Sequence, residues 1–474
     1  MRAARSSLTE GSIVRALFAL ALPIVLSNLL QTAYQFTDTY WVGKVGAAAV
    51  ASVSLSFPII FLLVSMGGGL AIAGTILVAQ SKGKGDTAQV NHVATQTISM
   101  VALVSLPLAL FGYSVAEPVV HLMGAQQDVL QSAASYMRIS FIGLPMMFGF
   151  FVFQSLMQGV GSAKIPMYIV LSTVILNFLL DPLFIMGYGP VPAYGVAGAA
   201  IATVGTQTMA TVIGLLFLLS GRYGIHLQWR DFTPDFPLLW QMVRLGFPAS
   251  IEQSMRALGM AVMVFLVASF GTVVMASYGI GGRIFSFVII PAMGFSMATS
   301  ALVGQNIGAG KRERAVQTAR MSAMISFFLL SVLGVVFFLF ARPSIAFFIP
   351  DDPEVIEMGS RFLRIIALTF GFMGLQQVLY GALRGAGNTV ASMVLSLVSL
   401  WVIQFPLAYI LSKHTSLHEA GIWWGFAAAN VLSAVITAAY MPYSGWNRAQ
   451  PLTGESEMKE KVFETAVADE AAVL

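Results

Sequence analysis

The chain consists of one apolar stretch after another, each long enough to cross a lipid bilayer. A spanning helix needs about 20 mostly apolar residues, and such stretches follow one another from residue 15 to residue 441. Apolar residues occupy 57% of the 474 positions and charged residues only 10%, whereas a soluble domain is roughly one-quarter charged. The sequence therefore predicts an all-α polytopic membrane protein and excludes a soluble one.

Twelve spans are predicted, and their number decides where the termini lie. The predicted spans are 15–42, 50–78, 91–113, 132–157, 165–187, 195–219, 242–270, 275–304, 316–341, 358–382, 390–412 and 419–441. An even number of spans places both termini on the same side of the membrane. The first span follows Arg2 and Arg5 and has no convincing cleavage site after it, so we interpret it as a retained helix and not as a signal peptide.

Basic residues are divided unevenly between the two sides of these spans. Seventeen lie in the terminal segments and in loops on the side of the termini, against six on the other side. Short loops rich in Lys and Arg mark the cytoplasmic side, so we expect both termini in the cytoplasm and the protein in the inner membrane. The net charge of +4 comes from these loops and predicts no nucleic-acid partner.

Two halves of the sequence repeat each other. VAQSKGKG at 78–85 recurs as VGQNIGAG at 303–310, an offset of 225, which also relates Pro23 to Pro248. MQGVGSAKIPM at 157–167 recurs as LRGAGNTVASM at 383–393 with an offset of 226, as does Gly195 as Gly421. Two pseudo-symmetric six-helix bundles in the same orientation are therefore expected, packed around a central cavity as in parallel transporter repeats.

This repeat divides the chain into five segments. They are a cytoplasmic N-terminal segment 1–14, an N-terminal lobe 15–219, a cytoplasmic linker 220–241, a C-terminal lobe 242–441 and an acidic cytoplasmic tail 442–474. The absence of cysteine excludes disulfides, thiolate metal sites and cysteine nucleophiles.

Acidic residues are rare inside the predicted spans. Asp38 in the first span and Asp181 in the fifth lie at similar depth in the outer half of the bilayer. Ionisable groups at membrane depth are costly and mark transport pathways by default. Polar residues at helical spacing share their faces, and these are Gln31, Tyr34, Asn177 and Thr203. This set predicts a site that binds a proton, a small cation or both.

The second half has no equivalent of this site. The offset carries Asp38 onto Met263 and Gln31 onto Arg256. Glu252 lies four residues before Arg256 on the seventh span, so the two side chains are predicted to neutralise each other, with a place in the substrate cavity as the alternative. Arg283 in the eighth span has no evident partner in the sequence.

Together these features resemble the multidrug and toxic compound extrusion (MATE) transporters, and in particular their DinF-like branch. The resemblance covers about residues 12–445 and rests on the twin halves, LPIVLSNLLQTAYQFTDTYWVG at 22–43, the two glycine loops and GALRGAGNT at 381–389. It implies antiport of organic cations or amphipathic compounds against protons or sodium, with no cofactor and no catalytic residue.

The resemblance also implies roles for particular residues. Gln31, Tyr34 and Asp38 match the family pattern in the first helix, Asn177 and Asp181 the fifth-helix acid and its partner, and Thr203 a sixth-helix hydroxyl. Gln154 stands where relatives often have Asn and is a weaker candidate for the substrate cavity, and Pro23 is the expected hinge of the first helix. The acid that the NorM-like branch carries in its tenth helix is missing, which favours coupling to protons through the N-terminal half.

Two other functions compete with export. A flippase for lipid-linked sugars of the same superfamily would tend to have fourteen spans and a cationic cavity. A membrane-embedded enzyme would need a nucleophile, base or metal cluster at one depth, and the sequence contains no such set. We expect a monomeric transporter of small amphipathic molecules in the bilayer, with H⁺ as the coupling ion and Na⁺, bound by Asp38, Asn177 and Asp181, as the alternative.

Overall fold

The protein is a bundle of long helices in a computed structural model that describes residues 8–446 and residue 452. The first half contains α1 (Ile13–Val45), α2 (Ala47–Lys84), α3 (Thr87–Leu122), α4 (Gln127–Gly159), α5 (Lys164–Met186) and α6 (Val196–Leu219). The second half contains α7 (Phe236–Ala268), α8 (Thr272–Gly308), α9 (Arg312–Leu339), α10 (Ala341–Ala346), α11 (Pro353–Ala367), α12 (Phe370–Gly385), α13 (Thr389–Leu397), α14 (Phe405–Lys413) and α15 (Glu419–Tyr440). A 3₁₀ turn at Trp229–Phe232 lies between the halves, and a π-helical segment at Val398–Gln404 joins α13 to α14.

The predicted all-α fold with twelve spans is confirmed. Within the described residues, eleven helices are long and apolar enough to cross a membrane, and the bent pair α11–α12 makes the twelfth span. In this count α13, the π-helical segment and α14 form one continuous span.

The tenth span is not the continuous helix that the sequence predicted. It breaks between α11 and α12, whose axes differ by 51°. The Thr369 hydroxyl donates to the Ile366 carbonyl at 2.8 Å and accepts from the Asn430 amide at 3.0 Å. Side-chain hydroxyls that bond to nearby carbonyls compete with the helical ladder, so the break at Thr369 has a local cause.

Several helices extend beyond their predicted apolar cores. α2 reaches Lys84 and α7 begins at Phe236, six residues before the predicted span. The Asp235 carboxylate caps α7 by accepting from the backbone N–H of Leu238 at 3.1 Å. The α2 extension is polar and ends in basic side chains, whereas the start of α7 is fixed by the Asp235 cap, so hydropathy alone placed both boundaries too far inside.

Equivalent corners in the two halves are made by equivalent glycines. Gly46 between α1 and α2 and Gly271 between α7 and α8 both have positive φ, at 134° and 101°. Gly85 and Gly310, after α2 and α8, also have positive φ, at 82° and 70°. Only glycine adopts such angles without strain, which explains why these residues recur at the offset of 225.

The two halves meet through contacts that the repeat duplicates. Gly69 of α2 packs against Gly246 and Ser250 of α7, while its repeat mate Gly294 of α8 packs against Ala21 and Val25 of α1. The offset of 225 carries Ala21 onto Gly246 and Val25 onto Ser250. The contact surface is therefore pseudo-symmetric, and small residues allow the backbones to approach closely.

A reciprocal pair of glutamine hydrogen bonds closes the same seam on the side of the termini. The Gln80 amide of α2 donates to the Gly385 carbonyl at 3.1 Å, and the Gln305 amide of α8 donates to the Gly159 carbonyl at 2.7 Å. We call these two bonds the glutamine clasp. They link α2 to the end of α12 and α8 to the end of α4, so each half holds the other by an equivalent bond.

Farther from the termini, the two halves diverge. Eleven residues, about three helical turns or ~16 Å along each helix, separate the contact level from Phe36, Pro58, Ala261 and Arg283. These four side chains lie on the same helix faces as the contacts, yet all are exposed, Phe36 by 58%. From this register and exposure we infer that the faces that touch at the clasp side line an open cleft at this level.

Part of the predicted terminal segments lies outside the described residues. These parts are residues 1–7, 447–451 and 453–474. Leu452 is described: its N–H donates to the Gln80 side chain at 2.8 Å, and its carbonyl accepts from Gln241 at 3.0 Å. The five-segment division of the chain stays a prediction.

Close packing at the seam predicts opposite effects for two neighbouring glycines. A methyl group at Gly69 would collide with the backbone and side chain of Ser250, whereas a methyl group at Gly68 meets nothing within 4 Å. We expect Gly69→Ala to lower the free energy of unfolding by about 1–3 kcal/mol. Gly68→Ala should be neutral or stabilising, because alanine is the better helix former. SDS titration in mixed micelles measures both values, and equal effects would contradict this packing.

Candidate functional site

The acidic residue of α1 faces the interior of the N-terminal half. Asp38 lies thirteen residues from Val25, which places its side chain on the opposite side of α1 from the seam. Its Oδ1 atom is buried and has no hydrogen-bond partner among the described residues. Tyr34, one turn earlier on the same stripe, is half-buried beside α6. The predicted stripe of α1 therefore points towards α5 and α6, away from the other half.

On α5, an amide holds the second acid in place. Asn177 and Asp181 are both completely buried, and the Asn177 Nδ2 atom donates to Asp181 Oδ1 at 2.7 Å. Their spacing of four residues puts both side chains on one helix face. Pro182 follows inside α5 and cannot donate to the Phe178 carbonyl. The predicted pairing of Asn177 with Asp181 is observed.

The Tyr34 hydroxyl is positioned by α6. It lies 2.9 Å from Thr206 Oγ1, while that hydroxyl is also 2.9 Å from the Thr203 carbonyl. Because the single proton of Thr206 can serve its own helix, Tyr34 is the natural donor in the contact between the two side chains. Thr203, the residue that the sequence selected, lies beside the same hydroxyl.

The two acids belong to one electrostatic cluster. Asp38 and Asp181 lie within electrostatic range of each other, and both lie within range of the hydroxyls of Tyr34 and Tyr136. Tyr136 is a buried residue of α4. Four helices thus converge on the acids, and no Lys or Arg forms an ion pair with either carboxyl group among the residues that the structure covers.

Three buried oxygen atoms of this cluster lack a partner in the described structure. They are Asp38 Oδ1, Asp181 Oδ2 and Asn177 Oδ1. Buried acceptors are nearly always satisfied in native proteins, so each such atom needs a physical explanation. Carboxylate and amide oxygens suit a proton or a hard cation, and these three atoms are the ones that would hold either.

An apolar layer covers the cluster on the side away from the termini. Trp41 packs edge-on against Phe178, with ring centroids 6.3 Å apart. Around it lies a small core formed by Val42, Ala49, Tyr136, Ile185, Val196, Ala199 and Ala200. This layer shields the acids from bulk water, which strengthens their interactions with one another.

Comparisons with known proteins agree with this architecture. The MatE family model matches residues 23–183 and 248–410, one match in each half. The probable multidrug resistance protein YoeA of Bacillus subtilis (strain 168) is 30% identical over 448 residues, which are 93% of this chain and 96% of that protein.

The chain belongs to the MatE family.

Two further similarities bear on fold and on function. The crystal structure of MATE in complex with MaL6 superimposes with a TM-score of 0.88 at 22% identity, covering 94% of this chain and all of that one. A FAD transporter of Shewanella oneidensis (strain ATCC 700550 and equivalents) is 26% identical over 407 residues, 85% of this chain and 89% of that protein. The predicted membership of the MATE family is thus confirmed.

The MatE repeat does not duplicate the acidic cluster. The offsets carry Asp38 onto Met263, and Asn177 and Asp181 onto Ile403 and Leu407. The span that contains Ile403 is instead distorted into the π-helical segment. The acidic cluster of the N-terminal half therefore has no counterpart at the equivalent positions of the C-terminal half.

The acid of α7 is neutralised within its own half. Glu252 is buried and accepts from Arg256 at 3.0 Å and from the Ser392 hydroxyl at 3.0 Å. The ion pair that the spacing predicted is therefore observed. Both carboxylate oxygens are engaged, so Glu252 offers no free acceptor comparable to those of Asp38 and Asp181.

Two predicted site residues of this MatE protein lie apart from the cluster. Gln31 is half-buried two turns from Asp38, ~10 Å along α1. Gln154 is half-buried on α4, eighteen residues from Tyr136, which is ~27 Å along the helix. The structure thus joins Tyr34, Asp38, Asn177, Asp181 and Thr203, and leaves these two glutamines outside.

Sequence reasoning missed two members of the cluster. Thr206 stands three residues after Thr203 and so shares its helix face, a signal that was present in the sequence. For Tyr136 the sequence offered only a weaker indication, namely a polar aromatic residue within a predicted span. Its place beside the acids follows from the packing of α4 against α6, next to α5.

The bond between Tyr34 and Thr206 predicts a difference between two threonines of α6. Thr206→Val removes the acceptor for Tyr34, whereas Thr208→Val removes only a bond to Val204 of its own helix. We expect the first variant to lose about 1 kcal/mol of unfolding free energy and the second less than half of that. Unfolding of both variants in mixed micelles provides the comparison, and a larger loss for Thr208→Val would refute this assignment.

Proposed function

We propose that this MatE protein is a secondary-active exporter that exchanges amphipathic compounds, organic cations included, for protons. The observation that supports the proposal best is the pair of acids formed by half-buried Asp38 and fully buried Asp181, each of which has one buried oxygen atom without a partner among the described residues. Unpaired ionisable groups at membrane depth are expensive, and they occur where a protein moves charge.

Protonation would satisfy the unpartnered atoms. The Asn177 amide nitrogen already donates to Asp181 Oδ1, so a proton on a neighbouring carboxyl oxygen can be donated to the free Asn177 Oδ1. The repulsion between the two carboxylates is then removed, and the hydrogen bonds of the cluster rearrange. The cluster would thus have a protonated and a deprotonated state, and substrate and proton would each bind to a different one.

α1 connects this chemistry with the movement of the two lobes. It carries Asp38 on one face and the seam residues Ala21 and Val25 on another. Pro23 interrupts the helical hydrogen bonding at the seam itself, between Ala21 and Val25, because it leaves the Ala19 carbonyl without its helical donor. We therefore propose Pro23 as the hinge and the glutamine clasp as the contact that opens when the exporter turns inward.

The membrane potential supplies the energy for this exchange. A proton that moves into a negatively charged cytoplasm gains about 2.3 kcal/mol per 100 mV. Sodium is the alternative coupling ion, since the same three oxygen atoms would suit it. In either case we place the protein in the inner membrane with both termini in the cytoplasm, as a monomer that neither binds nucleic acid nor catalyses a covalent reaction.

The relatives support export more than flipping of a lipid. YoeA is named a probable multidrug resistance protein, and the twelve spans found here are fewer than the fourteen expected of a flippase. The FAD transporter among the relatives is the specific observation in favour of a second candidate, in which the exported compound carries negative charge.

The proposed coupling predicts the effect of neutralising one acid. Asp38→Asn cannot release a proton, so ethidium efflux from proteoliposomes driven by a proton gradient should fall to the background level. Asp86→Asn is the matched control, because Asp86 caps α3 at the end of a loop and asparagine caps equally well. Its efflux should equal that of the unmodified protein.

Imposing the gradients separately distinguishes the coupling ions. Efflux that responds to a proton gradient without sodium would support the exchange proposed here. Efflux that requires a sodium gradient would leave the proposed site unchanged and would identify sodium, not the proton, as the coupling ion. Full proton-driven efflux by Asp38→Asn would contradict the role of the acid.

A further inference from the structure

The eighth span carries a positive charge that the proposed coupling does not use. Arg283 lies eleven residues inside α8 from its outer end, and its side chain is exposed. It forms no salt bridge among the residues that the structure describes. A charged group within a span faces a bundle interior or a water-filled cavity, because lipid does not solvate it.

The helix register places Arg283 on the cleft. It precedes the seam residue Gly294 by eleven residues, which is close to three full turns. Gly294 faces Ala21 and Val25 of the opposite half, so Arg283 faces the same way, ~16 Å farther outward. Phe287 lies one turn below it on this face and is 48% exposed.

Among the four cleft-facing repeat residues at this depth, Arg283 is the charged one. The repeat mates at this depth are Phe36 with Ala261 and Pro58 with Arg283, and all four residues lie on cleft-facing surfaces. Three of them are apolar. The acids are elsewhere, because Asp38 and Asp181 are enclosed within the N-terminal half.

Two other arginines of the C-terminal half are already engaged. Arg256 pairs with Glu252, and Arg384 donates to the Ser296 hydroxyl at 3.1 Å and to the Tyr380 carbonyl at 3.3 Å. Arg283 differs from them because its guanidinium faces the cleft without a counter-charge among the described residues. A guanidinium of this kind suits a carboxylate, sulfonate or phosphate, which it can bind through two parallel hydrogen bonds.

We propose that Arg283 binds an anionic group of the exported compound, with Phe287 and Phe36 contacting its apolar part. The inference rests on the export function proposed above and specifies its substrates: amphipathic compounds that carry a negative charge, zwitterions included. Arg283 is then a specificity-determining residue, and the acids of the N-terminal half keep their role in coupling.

A pair of dyes that differ in one charge tests this inference. Rhodamine B carries a carboxylate, and its ethyl ester has the same ring system without that charge. Fluorescence anisotropy of the purified full-length protein in phosphatidylcholine nanodiscs gives the Kd for each dye. We expect the acid to bind about tenfold more tightly than the ester, the value of one charge-assisted contact.

Three variants separate the charge of Arg283 from other effects. Arg283→Gln should abolish the preference for the acid and leave the Kd of the ester unchanged, which also shows that the variant is folded. Arg283→Lys should retain part of the preference, because lysine keeps the positive charge but cannot form the two parallel hydrogen bonds of a guanidinium. Arg342→Gln, at an exposed arginine of α10, should behave like the unmodified protein.

The other outcomes overturn the inference in distinguishable ways. If Arg283→Gln keeps the preference, or if the unmodified protein prefers the ester, the inference fails and the export function stands. If the unmodified protein binds neither dye, both fail. If no preference is seen and native mass spectrometry shows phosphatidylglycerol retained only with Arg283, the arginine holds an anionic lipid and the inference is wrong.

Discussion

Two carboxyl groups enclosed in this membrane protein have no basic partner among the described residues, and the proposed coupling depends on them. Asp181 is completely buried, and the buried Oδ1 atom of Asp38 has no partner among the described residues. A fixed pair of charges would be costly in this environment. On the proposed coupling, a proton or a cation shared among Asp38, Asp181 and Asn177 stabilises the cluster, and the site then has two states of different charge. Such a site can drive a conformational change only if the surrounding helices respond to it.

The repeat provides that response. Equivalent residues form both sides of the seam, Gly69 with Gly246 and Gly294 with Ala21, and the glutamine clasp joins the halves by the same bond twice. A pseudo-symmetric contact gives rigid lobes that can rock as units. The asymmetry lies in the chemistry. The cluster of Asp38 and Asp181 lies in one half and Arg283 in the other, so we assign coupling and selectivity to different lobes.

The sequence predicted the features that depend on composition and spacing. Hydropathy gave twelve spans, the offset of 225 gave the two halves, and helical spacing gave the pair Asn177–Asp181 and the pair Glu252–Arg256. It could not predict the bend at Thr369, because hydroxyl residues also occur in unbroken spans, and only the structure shows that this one bonds to the Ile366 carbonyl and to Asn430. Nor could it find Tyr136, which reaches the acids only through packing of α4, or the reciprocal bonds of Gln80 and Gln305, whose partners are backbone carbonyls.

The most direct test of the account measures whether protonation of the acids moves the lobes. The chain has no cysteine, so Val45→Cys with Thr272→Cys, both exposed at the outer ends of α1 and α8, would carry the only two spin labels. Pulsed electron paramagnetic resonance in nanodiscs gives the distance between them at alkaline and acidic pH. We predict a change in this distance on acidification, and a distance fixed near the acidic value at every pH when Asp38→Asn and Asp181→Asn are added. An unaltered pH response in the doubly substituted chain would contradict the account.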